Sequence, residues 1–263
     1  MKVAFIPSTF LPWVGGAEIQ THNTANKLVE MGNEVDVFLL KREIVNNRNY
    51  NILELNKFII NFVFLIKYYL NIYLIFFLRF YFKEICKKKN YKVWHFHSVN
   101  FKTLLYIKPL KDIGQKVVIT FHGADIQKDK NIFYGYRFDQ KYENLLKETL
   151  KIVDKVFAIS DDIIKELIFF DFPKSKIVKI PDSIEVKKFS KYKNVKKNKD
   201  LVKFITVARY YERKKGLDLI ESVSKILIKK GIDFQWTLVG RDSLNLFKKD
   251  FILKNKKFFN IVD

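Results

Sequence analysis

The chain has 263 residues, 48% of them hydrophobic, and a formal net charge of +21 at pH 7. That length makes one large domain or two small ones, and that apolar content is enough for a buried core. One cysteine, Cys86, excludes an internal disulfide framework and fits a reducing cytosol; the positive charge is lysine spread along the whole chain with no signature of base recognition, so no nucleic-acid partner is expected.

The opening MKVAFIPSTF has no long apolar run and meets Pro7, so no secretory signal is expected. Val3–Ile6 reads as a short strand. A Pro-containing turn then leads to Gly15 and Gly16 and to a helix running to about Met31, with Gly32 as its C-terminal cap. Two glycines at a helix start let the backbone approach a ligand and aim amides at it; the same pair also serves as a plain connector. Glu18, in the first turn, is read as helix-stabilising. Val35–Leu40 is the next strand.

The run FIINFVFLIKYYLNIYLIFFLRFYF, Phe58 to Phe82, is long enough to span a bilayer. At about 100° per residue, however, Lys57, Asn61, Lys67, Tyr68, Asn71 and Arg79 fall within one arc of roughly 120°. Lys67 near the middle makes insertion costly. The expectation is an amphipathic helix, continuous or broken, that packs partly on a sheet. Its aromatic surface is either at a membrane interface or buried in the domain.

Strands follow at Val93–His97, Val117–Phe121, Val156–Ile159 and Ile177–Ile180, with helical stretches between most of them. This rhythm predicts an α/β fold with a parallel sheet covered on both faces. His95 and His97 share one strand face, and His122 closes another strand. The three histidines, with Asp125 nearby, leave open a metal-dependent hydrolase. Ser160 reads as an N-cap, with Asp161 and Asp162 in the first turn behind it.

Residues 187–199, with seven lysines and no glycine, read as an interdomain connector. A second βαβ series starts at Lys203. Its strand FITVA ends in Arg209, a short charged loop follows, and Lys215-Gly216 is read as opening the helix LDLIESVSKIL. Cations on a loop between a parallel strand and a helix N-terminus are suited to holding phosphate. The predicted organisation is therefore 1–186, a linker at 187–200, and 201–263.

Taken in order, VAFIPSTFLPWVGGAE, VWHFHS, VVITFHGADI, DKVFAISDDIIKEL, KIVKIPDS, VARYYERKKGLDLI and WTLVG resemble the GT-B-fold retaining glycosyltransferases of family 4, over essentially the whole chain. The resemblance implies two Rossmann-like domains, acceptor-side first and nucleotide-sugar-binding second. It implies that His122 approaches the donor sugar and that Arg209 and Lys215, with Gly15 and Gly16, hold the diphosphate. It further implies transfer of a hexose to a glycan or lipid-linked acceptor in surface polysaccharide synthesis. No metal cofactor is required, and the location is cytoplasmic or at the inner face of the membrane. Two departures stand out. Pro181-Asp182-Ser183 stands where the family usually has Asn-Gly after the proline, and the chain stops at FFNIVD without the family's paired glutamates. The resemblance therefore also allows an incomplete second domain, with impaired transfer or a non-catalytic remnant.

Overall fold

The computed structural model describes residues 1–41, 43–186, 201–209 and 214–262, the side chains of 246–248 excepted. The chain divides into two compact units, Met1–Ile184 and Glu185–Asp263. The lysine-rich connector at 187–200 lies outside the described residues.

The first unit is built on β1 (Lys2–Pro7), β2 (Glu34–Leu39), β3 (Asn51–Glu54), β4 (Val93–His97), β5 (Val117–Phe121), β6 (Lys155–Ala158) and β7 (Ile177–Lys179). They form one parallel sheet in the order β3-β2-β1-β4-β5-β6-β7. The order runs one way to β1 and then reverses, so the β1–β4 boundary is the switch point where open α/β sheets bind ligands. In the register, Pro7 lies beside His97 and His97 beside Thr120. The edge strand β3 escaped the sequence reading. It is four residues long with only Ile52 buried, and Asn51 joins it to β2 through the Asp36 carboxylate at 2.9 Å.

Helix α1 (Gly16–Glu30) packs on one face, over Val3, Phe5, Val35, Val37 and Ile52. Helices α4 (Phe101–Asp112), α5 (Gln140–Leu150) and α6 (Asp161–Phe169) belong to the larger core on the opposite face, built around Trp94, Phe96, Ile119 and Phe121. Alternation explains the split: Ala4 and Ile6 of β1 point to the large core while Val3 and Phe5 point to α1. Ser160 caps α6 by accepting from the Ile163 amide at 3.4 Å, as the sequence predicts. Gly32, at φ +80°, follows α1 as its cap.

The apolar run is two helices, α2 (Lys57–Leu70) and α3 (Ile75–Lys88), separated at Asn71, whose φ is +57°. No helix is long and apolar enough to cross a membrane, among the described residues. The break also corrects the arc. Arg79 lies on a separate helix, so the phase carried from Lys57 does not apply to it.

The second unit holds β8 (Val202–Val207), β9 (Phe234–Val239) and β10 (Phe259–Val262), parallel in the order β10-β9-β8. Helices α7 (Leu219–Lys229) and α8 (Asp250–Lys254) belong to it, and its small core joins Leu217, Ile220, Leu238, Ile252 and Phe259. The expectation that Lys215-Gly216 opens the helix is wrong by about a turn. Gly216 is at φ +66°, which turns the chain off the helical path, and Leu219 bonds back to the Gly216 carbonyl at 3.1 Å before α7 begins. The charged loop at 210–213 lies outside the described residues.

Candidate functional site

The strands of the first sheet bring three histidines together on the face that α1 covers only in part. His95 and His97 project from β4, and His122 follows the last residue of β5. The His95 and His97 rings are 3.9 Å apart between centroids, and His97 and His122 are 6.2 Å apart. They line a cavity of about 350 Å³, together with Val118, Thr120, Phe157, Ile180, Asp182 and Gln20 among others. Burial, reinforced by His122, lowers the His95 pKa to about 3, and burial also holds His97 well below its ordinary value. Both imidazoles are therefore neutral at physiological pH.

The alternative of a metal-dependent hydrolase is not supported by this geometry. Among the described residues no group of three or more His, Cys, Asp or Glu side chains could hold a metal ion. His95 Nε2 is already paired with Thr120 Oγ1 at 2.7 Å, and Phe5 lies edge-on to its ring at 5.1 Å. The His95 and His97 rings are tilted by 37° to each other and those of His97 and His122 by 31°. Both nitrogens of His97 and Nε2 of His122 are buried without a hydrogen-bond partner among the described residues.

His122 is held by its own loop. The Asp125 carboxylate accepts from the amides of His122 at 3.1 Å, Gly123 at 2.8 Å and Val99 at 3.3 Å. It thereby fastens the end of β5 to the second residue after β4. Burial pushes the Asp125 carboxyl above its ordinary value, although these amides and His122 pull it down. Gly123 is required in this turn: its φ is +129°, and a Cβ there would come 2.8 Å from Tyr134 Oη. Behind the loop, Arg137 is 4% exposed and donates to Glu143 at 2.8 Å, to the Ile126 carbonyl at 2.9 Å and to Glu166. The sequence reading missed Arg137, because nothing in local spacing marks one arginine among many cations as buried. On the other side, Asp182 Oδ2 lies 3.9 Å from His122 Nδ1, and the Ser183 carbonyl accepts from Gln20 Nε2 at 2.6 Å.

A second cleft, of about 290 Å³, opens at the switch point beside the ends of β1 and β4. Ser8, Thr9, Trp13, Asn100, Lys102 and Tyr106 contribute to its wall. The Tyr106 hydroxyl is buried and unpaired among the described residues. Gly15 and Gly16 start α1 nearby in sequence, and neither backbone conformation nor backbone packing requires glycine at them. Gly15 is extended at φ −152°, but a Cβ there would meet Glu18 Oε2 at 2.4 Å; a Cβ on Gly16 would meet nothing within 4 Å. The Glu18 carboxylate folds back over Gly15 and accepts from Thr9 Oγ1 at 2.5 Å. It gives the positive end of α1 an anion from within the chain, as its helix-stabilising reading expects.

In the second unit, Arg209 follows β8 and Lys215 precedes α7; both are exposed. The position of Arg209 depends on a residue that the sequence reading left without a role. Gly240, at φ +138°, ends β9 so close to β8 that a Cβ would lie 2.3 Å from the Ala208 carbonyl oxygen. Only glycine lets the two strand tips meet there.

Comparison with solved structures finds this architecture repeatedly. A glycosyltransferase from Rickettsia africae is 21% identical, with a TM-score of 0.66, over 99% of this chain and 67% of that one. The sucrose-phosphate synthase of Thermosynechococcus elongatus is 14% identical, with a TM-score of 0.66, over 99% and 70%. The lipopolysaccharide outer core galactosyltransferase WaaB is 13% identical, with a TM-score of 0.58, over 99% and 67%. At these identities the likeness shows a shared fold: a parallel seven-stranded sheet and a smaller parallel sheet, as in the GT-B glycosyltransferases. No curated protein matches the sequence. The model of Glycosyltransferase Family 4 matches residues 14–188, more than half of the chain and most of the unit that carries the histidines. The chain belongs to glycosyltransferase family 4.

Proposed function

We propose that this protein transfers a hexose from a nucleotide sugar to a glycan or lipid-linked acceptor during synthesis of a surface polysaccharide, with retention at the anomeric carbon. In this reading the acceptor hydroxyl oxygen bonds to the anomeric carbon as the bond to the diphosphate oxygen breaks. The hydroxyl proton leaves with the departing phosphate. Negative charge grows on the phosphate oxygens, and Arg209 and Lys215 are the cations assigned to it, one as a fork and one as a point charge. In this reading the two cations take up that charge without a metal. His122 is assigned to the sugar, and the switch-point cleft to the acceptor.

The observation that carries the reading is the placement of His122. It sits at the carboxyl end of β5 and is fixed through two backbone amides by the buried Asp125, so a family motif read in the sequence is a built, rigid corner of the fold. The location in this reading is cytoplasmic.

The test is a titration of the 263-residue protein with UDP, GDP and ADP, followed by thermal unfolding. A nucleotide at about 100 times its dissociation constant stabilises the protein by about 2.7 kcal/mol. Stabilisation by one nucleotide, lost in Arg209→Ala, supports donor binding. No stabilisation by any of them would overturn the assignment of a donor site to this chain.

A further inference from the structure

The hairpin of α2 and α3 is turned the wrong way for a helix that faces only water. On α2 the polar side chains are used against the protein. Asn61 Oδ1 accepts from Lys102 of α4 at 2.8 Å, and Tyr68 Oη donates to Asp139 at 2.9 Å. Lys67 folds along the helix to Asn71 at 3.0 Å. The solvent face instead carries Phe58, Phe62, Leu65 and Tyr69, spaced four, three and four apart, which is one stripe of a helix. Phe58 is 76% exposed and Tyr69 69%. The turn adds Leu70 and Ile72, and α3 continues the surface with Phe76, Phe77 and Phe80, the last 67% exposed. The patch is continuous across the two helices, because the Phe62 and Phe77 rings lie 6.5 Å apart edge to face. A continuous apolar surface of this kind on an otherwise highly charged chain marks an interaction site.

Charge narrows the partner. Residues Lys57 to Lys88 contain six cations and one carboxylate, Glu84, which is paired with Lys87 at 2.6 Å. Arg79, Lys83 and Lys87 stand one helical turn apart on α3. With Phe76 and Phe80 they line a broad groove whose one carboxylate, Asp112, is bonded to Lys108 at 3.1 Å. Aromatic side chains in front and an excess of cations beside them match a bilayer interface with anionic headgroups: rings at the acyl boundary, cations at the phosphates. Neither helix can span. Each has 14 residues, about 21 Å at the α-helical rise, against a hydrocarbon core of about 30 Å. We propose that the α2–α3 hairpin is the membrane-docking surface of this protein, lying in the plane of an anionic lipid leaflet. Lys102 joins this hairpin to the switch-point cleft, since it lines that cleft and bonds Asn61 of α2. Docking would therefore hold the cleft close to the lipid surface, within reach of an acceptor carried there. The proposal uses neither His122 nor the cations of the second unit, so it stands or falls separately from the transfer reaction.

The test is sedimentation of the full chain with phosphatidylcholine vesicles containing about 30% phosphatidylglycerol, and with phosphatidylcholine alone, at about 0.05 and about 0.5 M salt. The expected result is tight binding to the anionic vesicles, weakened but not abolished by salt. Phe58→Ser/Phe62→Ser/Phe76→Ser/Phe80→Ser should bind roughly 10-fold or more weakly, on the scale of burying apolar side chains at an interface. These side chains are exposed, so the variant should unfold at the same temperature as the parent. The variant Lys83→Glu/Lys87→Glu should lose preference for anionic over neutral vesicles. Equal binding by the aromatic variant would overturn the proposal, leaving unspecific attraction of a basic chain. So would a stable dimer in solution that the aromatic variant dissociates while vesicle binding is absent, since the patch would then be a self-association surface.

Discussion

His122 Nδ1 and Asp182 Oδ2 lie 3.9 Å apart, beyond hydrogen-bond distance, although 59 residues of the sequence lie between them. Asp182 stands in the Pro-Asp-Ser segment that departs from the usual Asn-Gly of the family. Burial raises its carboxyl above the ordinary value, and His122 acts in the opposite direction. The departure therefore puts a carboxylate beside the histidine assigned to the sugar. His122→Ala should cut transfer by roughly 100-fold or more, the scale for losing one preorganised group in a transition state. Asp182→Asn should cost less, because it keeps the shape and removes only the charge. Rates measured at saturating donor decide this; an Asp182→Asn loss as large as that of His122→Ala would mean that Asp182 acts on substrate directly.

Arg209→Ala and Lys215→Ala should each lower transfer by roughly 100-fold, for the same reason of developing charge. Gly240→Ala should mimic Arg209→Ala in part. Its Cβ would push on the Ala208 carbonyl, the residue before the arginine. Near-normal turnover in both cation variants would remove the phosphate assignment, and an unaffected Gly240→Ala would show that the strand tip has slack.

The buried histidines predict loss of stability in mild acid. His95 and His97 take up protons in the unfolded chain near their ordinary value of about 6.5, but not in the folded one until far lower. Stability is therefore complete above that value and falls as pH drops from 6.5 towards 3. At about pH 5.5 each should cost on the order of 1 kcal/mol relative to neutral pH. Asp125 and Asp182, held above their ordinary value of 3.8, act with the opposite sign inside the lower part of this window and offset part of the loss there. Urea unfolding of the parent and of His97→Gln at about pH 7.5 and 5.5 is the measurement; the variant should lose roughly half of the pH dependence.

Arg137 ties the loop after β5 to α5 and α6 through Glu143, Glu166 and the Ile126 carbonyl. Its plane also lies 4.5 Å from the Phe170 ring. Arg137→Ala takes the arginine from Glu166 and the Ile126 carbonyl and leaves Glu143 with Lys128 at 3.4 Å; it should destabilise by about 3 kcal/mol, the low end for breaking a buried ion pair because both glutamates are part-exposed. Arg137→Lys should recover less than half of that, since a lysine cannot serve three acceptors with one planar fork. Denaturant unfolding gives both numbers.

The sequence by itself determined the elements that obey a local rule. Strands alternate apolar residues, Ser160 and Gly32 mark helix ends, and the ordered motifs resemble the family that the match over 14–188 shows. It determined as well that His95 and His97 share a face, because alternation along a strand has a period of two. Local pattern failed where a residue's state depends on remote partners. The edge strand β3 exists because β2 offers it a ladder, and Arg137 is buried because three acceptors from separate segments surround it. Asp182 reaches His122 because β7 lies two strands from β5. The hairpin of α2 and α3 shows the difference most plainly. Periodicity located its polar arc, but only the packed structure decides that Asn61 and Tyr68 turn inwards to Lys102 and Asp139 and leave the aromatic stripe outside. Helical phase fixes which side chains travel together; the direction in which they face is set by the neighbours available to satisfy them.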